Sequence, residues 1–212
     1  MASLAYRDEG LALILVGESF GWLGASLYLR EICGREEGLP PPVDLALERL
    51  NGRFVRELIG RGWVAACHDL ADGGLYVALA EMALASTIGA DLELPPDFAP
   101  TGWLFGEEQG RYLLAAPPDR QGDILELARA RGVLTRRVGT TGGRALTVCG
   151  GSAICLDELA EAHEAWLPAY MAANRGVERN DRHGDDRPGD RDPDPRRPAR
   201  GRDHGRRSRG GR

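Results

Sequence analysis

VAACHDLADGGLYVALAEM, residues 64–82, joins a β-rich apolar run to a long apolar helix through a polar turn. WVAAC (63–67) reads as a strand and GGLYVALAEMALAS (73–86) as a mostly apolar helix. Between them stand His68, Asp69 and Asp72, followed by Gly73 and Gly74. Three functions suit such a turn. A metal site is the weakest, because zinc usually takes more His or Cys and no second His is near in sequence. An anion site fits the free N–H groups of a helix start, but two carboxylates crowd it. Capping fits best: Asp72 occupies an N-cap position and the two glycines let the backbone turn into the helix.

The same alternation of strand and helix runs outward in both directions. LALILVG (11–17) is a short apolar run closed by Gly, as in a buried strand. GWLGASLYLREICG (21–34) has apolar residues at helical spacing, and VDLALERLNGRFVRELIGRG (43–62) is a second amphipathic helix after Pro40, Pro41 and Pro42. Further on come a strand ADLEL (90–94), a strand RYLLAA (111–116) and a helix DRQGDILELARARG (119–132). VLTRRVG and RALTVCG read as strands paired across TTGG. LDELAEAHEAWLPAYM (156–171) is a last helix, with Asp157 as its expected N-cap. This order predicts an α+β fold, with helices packed on a mixed β-sheet.

Composition sets limits on the chemistry. All 27 basic residues of the 212 are arginine. A Walker-type phosphate loop and Schiff-base catalysis both need a lysine, so neither is housed here. LALILV is far shorter than the roughly 20 apolar residues that span a bilayer. The first ten residues lack the basic region of a signal peptide. The 4 cysteines form no CxxC pair, which predicts reduced, mostly buried thiols in a cytoplasmic protein. Composition breaks near Asn174. Residues 174–212 carry 13 Arg against 8 acids, a net of +5; with −5 on the whole chain, residues 1–173 carry −10. The expected division is a folded domain over 1–173 and a disordered Arg/Asp/Gly/Pro-rich tail over 174–212. Interleaved acids speak against nucleic-acid binding by that tail.

Two more clusters carry polar groups. GESFGWLG (17–24) has the spacing G-x3-G-x2-G, with Ser19 where a dinucleotide loop wants glycine, so helix entry is the better reading. In LFGEEQGRYLLAA (104–116), Glu107, Glu108, Gln109 and Arg111 lie on a glycine-flanked bend before a strand. A solvated loop and a polar ligand site both suit it.

In this order, GESFGWLGASLYLREICGREEGLPPPVDL, HDLADGGLYVALAEMA and LFGEEQGRYLL resemble the C-terminal end of the synthetase subunit of phosphoribosylformylglycinamidine synthase, the formylglycinamide ribonucleotide amidotransferase. The likeness runs from about residue 2 to about residue 172. PPPVDL and FGEEQGR favour this family over the related aminoimidazole ribonucleotide synthetase, whose superfamily shares the C-terminal domain. The resemblance implies the second C-terminal α+β domain of a longer architecture built from two copies of an ATP-binding domain and a C-terminal domain. The complete enzyme uses ATP and Mg2+ to activate an amide, and ammonia from a glutaminase subunit displaces phosphate; a small accessory subunit belongs to the same complex. The family's catalytic His and its ATP- and Mg2+-binding residues lie in the missing N-terminal domains, and His68 is not that His. No catalytic or metal residue is therefore assigned to this chain, and no cofactor is expected on it alone. An inactive binding or assembly module is the rival expectation. In the first repeat a Glu-Ser-Gln triplet contacts substrate; Glu107, Glu108 and Gln109 stand at the matching motif, with Glu108 in place of Ser. As an excised domain, the chain is expected to leave LALILV and GWLGASLYL uncovered.

Overall fold

The computed structural model describes residues 2–149 and 151–177, with side chains to residue 172. Seven strands form one mixed sheet in the order β2-β4-β1-β5-β3-β6-β7. Strand β1 (Ala12–Val16) is an interior strand, antiparallel to β4 (Tyr112–Ala116) and to β5 (Thr135–Thr141). Its unbroken apolar run has a simple cause: every residue of β1 is buried, since both faces of the sheet are covered. Leu13 and Leu15, with Leu113 and Ala115, pack against Leu75, Leu79 and Met82 of α2 (Gly74–Ser86). Ala12, Ile14 and Val16, with Leu114 and Ala116, meet Phe54 and Leu58 of α1 (Leu45–Gly60) and Ile124 and Ala128 of α4 (Gln121–Arg131). Burial of each such large side chain contributes about 1.5–3 kcal/mol. A one-residue slip of β1 would exchange the two sets, so the register is firmly specified.

The expected α+β class and mixed sheet are thus present, while several local expectations are corrected. Of the helix expected over 21–34, one π-helical turn forms at Tyr28–Ile32. The N–H groups of Phe20, Trp22 and Leu27 go to side-chain carboxylates at 107 and 108 instead of to helical carbonyls. Strand β2 (Ala66–Asp69) lies later than WVAAC and includes His68 and Asp69. Strands β5 and β6 (Ala145–Val148) do not pair across TTGG. Strand β3 (Ala90–Leu92) lies between them, antiparallel to β5 and parallel to β6. Gly89 and Gly139 admit it: a Cβ on Gly139 would collide with the Asp91 carbonyl, and one on Gly89 with the Ala145 backbone.

A short helix α3 (Pro100–Phe105) and an edge strand β7 (Ala153–Cys155), antiparallel to β6, add to the expected elements. Helix α5 (Leu156–Val177) starts one residue before Asp157, whose carboxylate lies inside the first turn and pairs with Arg144 at 2.8 Å rather than capping. Asp44 does cap α1, accepting from the N–H groups of Ala46 and Leu47 at 2.9 and 3.0 Å.

LALILV is fully covered, contrary to expectation. Exposed apolar side chains sit instead at Phe20, Ile32, Leu39, Val43 and Leu45, and on α5. The cysteines are free, but Cys33, Cys149 and Cys155 are exposed and Cys67 is half-buried, so the expectation of mostly buried thiols does not hold. No helix among the described residues is long and apolar enough to cross a membrane. The chain divides into two units, Met1–Pro168 and Ala169–Arg212. The first holds the sheet; of the second, the end of α5 is described. Residues 178–212 of the expected tail lie outside the described residues.

Helix α2 ends on exposed Thr87 with φ 56°, a left-handed conformation that a β-branched residue adopts at a cost of about 1–2 kcal/mol. Thr87→Gly is expected to stabilise the domain by about 1 kcal/mol and to raise its melting temperature by about 2–4 °C. A lower melting temperature in that variant would contradict the strained-cap assignment.

Candidate functional site

Register brings the three polar clusters to one end of the sheet. Val16, the last residue of β1, and Asp69, the last of β2, both lie opposite Tyr112, the first of β4. The chain therefore enters the 17–27 loop, the 70–74 turn and the 106–110 bend at neighbouring points. Gly17 (φ 99°) lies so close to the last of these that a Cβ would sit 2.9 Å from Arg111 Cγ.

Glu108 and Arg111 join these loops. Arg111 is 1% exposed, and its three guanidinium nitrogens are all engaged. Nε donates to the Glu108 carbonyl at 3.1 Å, Nη1 to Ser19 Oγ at 2.9 Å, and Nη2 to the Gly106 carbonyl at 2.5 Å. Nη2 also lies 2.7 Å from Glu108 Oε2. Glu108 Oε1 accepts from the Phe20 and Trp22 N–H groups at 2.8 and 2.7 Å. Burial lowers the Arg111 pKa from its ordinary value, and the Glu108 carboxylate opposes that shift.

Glu107 performs the capping expected of Asp72. Its Oε1 accepts from the N–H of Gly73, the cap residue of α2, at 2.7 Å and from the Leu27 N–H at 2.9 Å. Asp72 is exposed and makes no cap hydrogen bond, which corrects the local reading. A carboxylate reaching from another loop meets the positive end of the helix without needing the N-cap backbone geometry. Gly73 and Gly74 have φ of 77° and 67°. A Cβ on Gly73 would strike Val77, and one on Gly74 would strike the Gly106 carbonyl. Both glycines are thus required by close approach as well as by turning.

His68 is separate from this network. Its Nε2 lies 2.7 Å from Glu81 Oε2 on α2 and its Nδ1 3.4 Å from Asp69 Oδ1. Among the described residues no three His, Cys, Asp or Glu side chains are grouped to hold a metal ion. Gln109 is exposed, with a long 3.4 Å contact from Nε2 to the Glu107 carbonyl. It lines two cavities, one of 480 Å3 with Glu48, Arg49, Asp69 and Tyr112, and one of 260 Å3 with Phe20, Trp22, Val43 and Glu108. The triplet thus divides: Glu107 and Glu108 spend oxygens on the fold, and Gln109 faces open space. Sequence reasoning singled out Arg111 but not its role. The available signal was a charged residue set directly before a buried strand, beside two acids and two glycines.

The family model described as AIR synthase related protein, C-terminal domain, matches residues 8–149. This chain belongs to that family. Within the family it is 54% identical over 172 residues to the phosphoribosylformylglycinamidine synthase subunit PurL of Methylocella silvestris, covering 81% of this chain and 23% of that one. The PurL subunit of Rhodopseudomonas palustris is also 54% identical, over 171 residues. The chain thus spans about a quarter of the length of these curated relatives. Among solved structures, Thermotoga maritima PurL complexed with FGAR superposes with a TM-score of 0.64 at 20% identity, over 76% of this chain and 29% of that one. A thiamine-monophosphate kinase from Stenotrophomonas maltophilia gives 0.51 at 22% identity, over 70% of this chain and 53% of the kinase. At such identities these likenesses are ones of fold.

Replacing Arg111 by Met would leave the Glu108 carboxylate buried without its cation, so Arg111→Met is expected to cost about 3–5 kcal/mol in urea unfolding. Adding Glu108→Gln keeps an acceptor for Phe20 and Trp22, removes the charge and should recover part of that loss. A single variant within about 0.5 kcal/mol of the parent would show that the pair does not hold the loops.

Burial, with Asp69 nearby, pushes the Cys67 thiol up to about 11. An unfolded cysteine titrates near about 8.5, so the fold favours the protonated form. The resulting stability is complete below about pH 8.5 and is lost as pH rises toward 11. At pH 8 a disulfide reagent should label Cys33, Cys149 and Cys155 well before Cys67, as mapped by mass spectrometry. Equal labelling of Cys67 at that pH would refute its protection.

Proposed function

We propose that this chain is the C-terminal part of a phosphoribosylformylglycinamidine synthase, an ATP-dependent C–N ligase. The complete enzyme converts formylglycinamide ribonucleotide to formylglycinamidine ribonucleotide with glutamine-derived ammonia in purine biosynthesis. One observation carries the reading: the three motifs that resemble the synthetase are joined into a single site through Glu107, Glu108 and Arg111. The relatives at 54% identity support it.

On this reading the chain contributes a preorganised wall rather than the reacting centre. Glu107 and Glu108 hold the loops, and Gln109, exposed between two cavities, is the member of the triplet that meets substrate. On this reading ATP and Mg2+ belong to the N-terminal synthetase domains. ATP supplies phosphoryl activation of the amide oxygen when bound there. The exposed Phe20, Leu39, Val43 and Leu45 are 57–77% exposed and suit packing against those domains. A glutaminase subunit and a small accessory subunit complete the proposed complex, acting in the cytoplasm.

The purified chain with formylglycinamide ribonucleotide, ATP, Mg2+ and ammonia is expected to form no product. Exchanged for the corresponding quarter of the Methylocella silvestris subunit, it should support turnover, and Gln109→Ala in that fusion should raise KM. Turnover by the chain alone would overturn the missing-domain reading. A folded fusion without activity would overturn the family function.

A further inference from the structure

Gln109 has one weak side-chain contact, the 3.4 Å approach of its Nε2 to the Glu107 carbonyl, so the backbone decides where its amide stands. On the N-terminal side that backbone is held through the Glu107 and Glu108 carboxylates. On the C-terminal side the next residue, Gly110, is left-handed at φ 69° and lies between two walls. A Cβ on Gly110 would sit 2.9 Å from Glu48 Cγ of α1, and one on Gly17 would sit 3.1 Å from the Gly110 carbonyl oxygen.

Asn51 of α1 supplies the remaining contact. Its Nδ2 donates to the Gly110 carbonyl at 2.9 Å, across 59 residues of sequence. A carbonyl accepts from the amide nitrogen and not from the amide oxygen, which fixes the orientation of the side chain. Asn51 is 1% exposed and shares the buried face of α1 with Phe54, Val55 and Leu58, at the i, i+3, i+4 and i+7 spacing of an apolar stripe. An apolar side chain would suit that position in packing terms. Asparagine instead leaves its Oδ1 buried with no hydrogen-bond partner among the described residues. Such a group lowers stability, so core packing does not account for it. The hydrogen bond to the bend does.

We infer, resting on the reading that Gln109 meets substrate, that Asn51 is its positioning residue: it holds the Gly110 carbonyl and so fixes the backbone that carries the Gln109 amide. Glu107 and Glu108 anchor one side of the bend and Asn51 anchors the other. Leu45, Glu48 and Arg49 of α1 line the 480 Å3 cavity beside Gln109, so the same bond ties two walls of that cavity together.

Asn51→Leu removes the donor and the unpaired Oδ1 together. In the fusion with the Methylocella silvestris subunit it is expected to raise KM for formylglycinamide ribonucleotide about fivefold, with kcat within about twofold of the parent. Added to Gln109→Ala, it should raise KM by less than about twofold more, because both act through one contact. A merely structural loss would add in full. In the chain itself, backbone 15N relaxation should show the order parameters of Gln109 and Gly110 falling from about 0.85 toward about 0.6 in Asn51→Leu, with Glu107 and Glu108 unchanged. If the leucine variant does not fold, Asn51→Ala carries the same expectations. Unchanged KM, an additive double variant, or unchanged order at 109 and 110 would each overturn the role of Asn51. A folded parent fusion without turnover, or unchanged KM in Gln109→Ala, would overturn the reading of Gln109 and the role of Asn51 with it.

Discussion

A buried guanidinium holds this end of the domain together. Arg111 enters the interior at the start of β4, where an unpaired charge would be expensive. It persists because every nitrogen finds an oxygen, and those oxygens come from the 17–27 loop and the 106–110 bend. Glu108 extends the network to the backbone of Phe20 and Trp22, and its neighbour Glu107 extends it to Leu27 and Gly73. Two adjacent acids thus organise about ten residues that form little regular structure. Satisfied in this way, a polar network confers uniqueness on loops whose own hydrogen bonding would leave them free to wander.

Much of this was legible from residue order alone. The apolar run 11–16 announced a buried strand because both faces of the sheet need side chains, and α1, α2 and α4 followed from spacing and stop signals. What escaped was tertiary. The segment 21–34 has helical spacing, yet the N–H groups of Trp22 and Leu27 are claimed by carboxylates some 80 residues later. The TTGG turn looked like a hairpin, yet β3 intrudes, which glycines at 89 and 139 permit and no local pattern reveals. Asp72 stood where a cap belongs, but a more distant carboxylate took the position. In each case a long-range partner outbid the local one.

The candidate site shows the same division. Its motifs were visible as glycine-flanked clusters, but the separate roles within Glu107, Glu108 and Gln109 depend on which oxygens the fold consumes.

The position of β1 in the sheet has a consequence for biosynthesis. Its two neighbours are supplied by residues 112–116 and 135–140, roughly a hundred residues further along the chain. At a ribosomal rate of about 5–20 residues per second, the most apolar strand of the protein emerges about 5–20 s before its first partner exists. Helices α1 and α2, made in the interval, can cover its faces but not its edges, and a strand with two open edges is a template for association. The most apolar strand of this domain is therefore also the segment with the greatest need of a chaperone during synthesis.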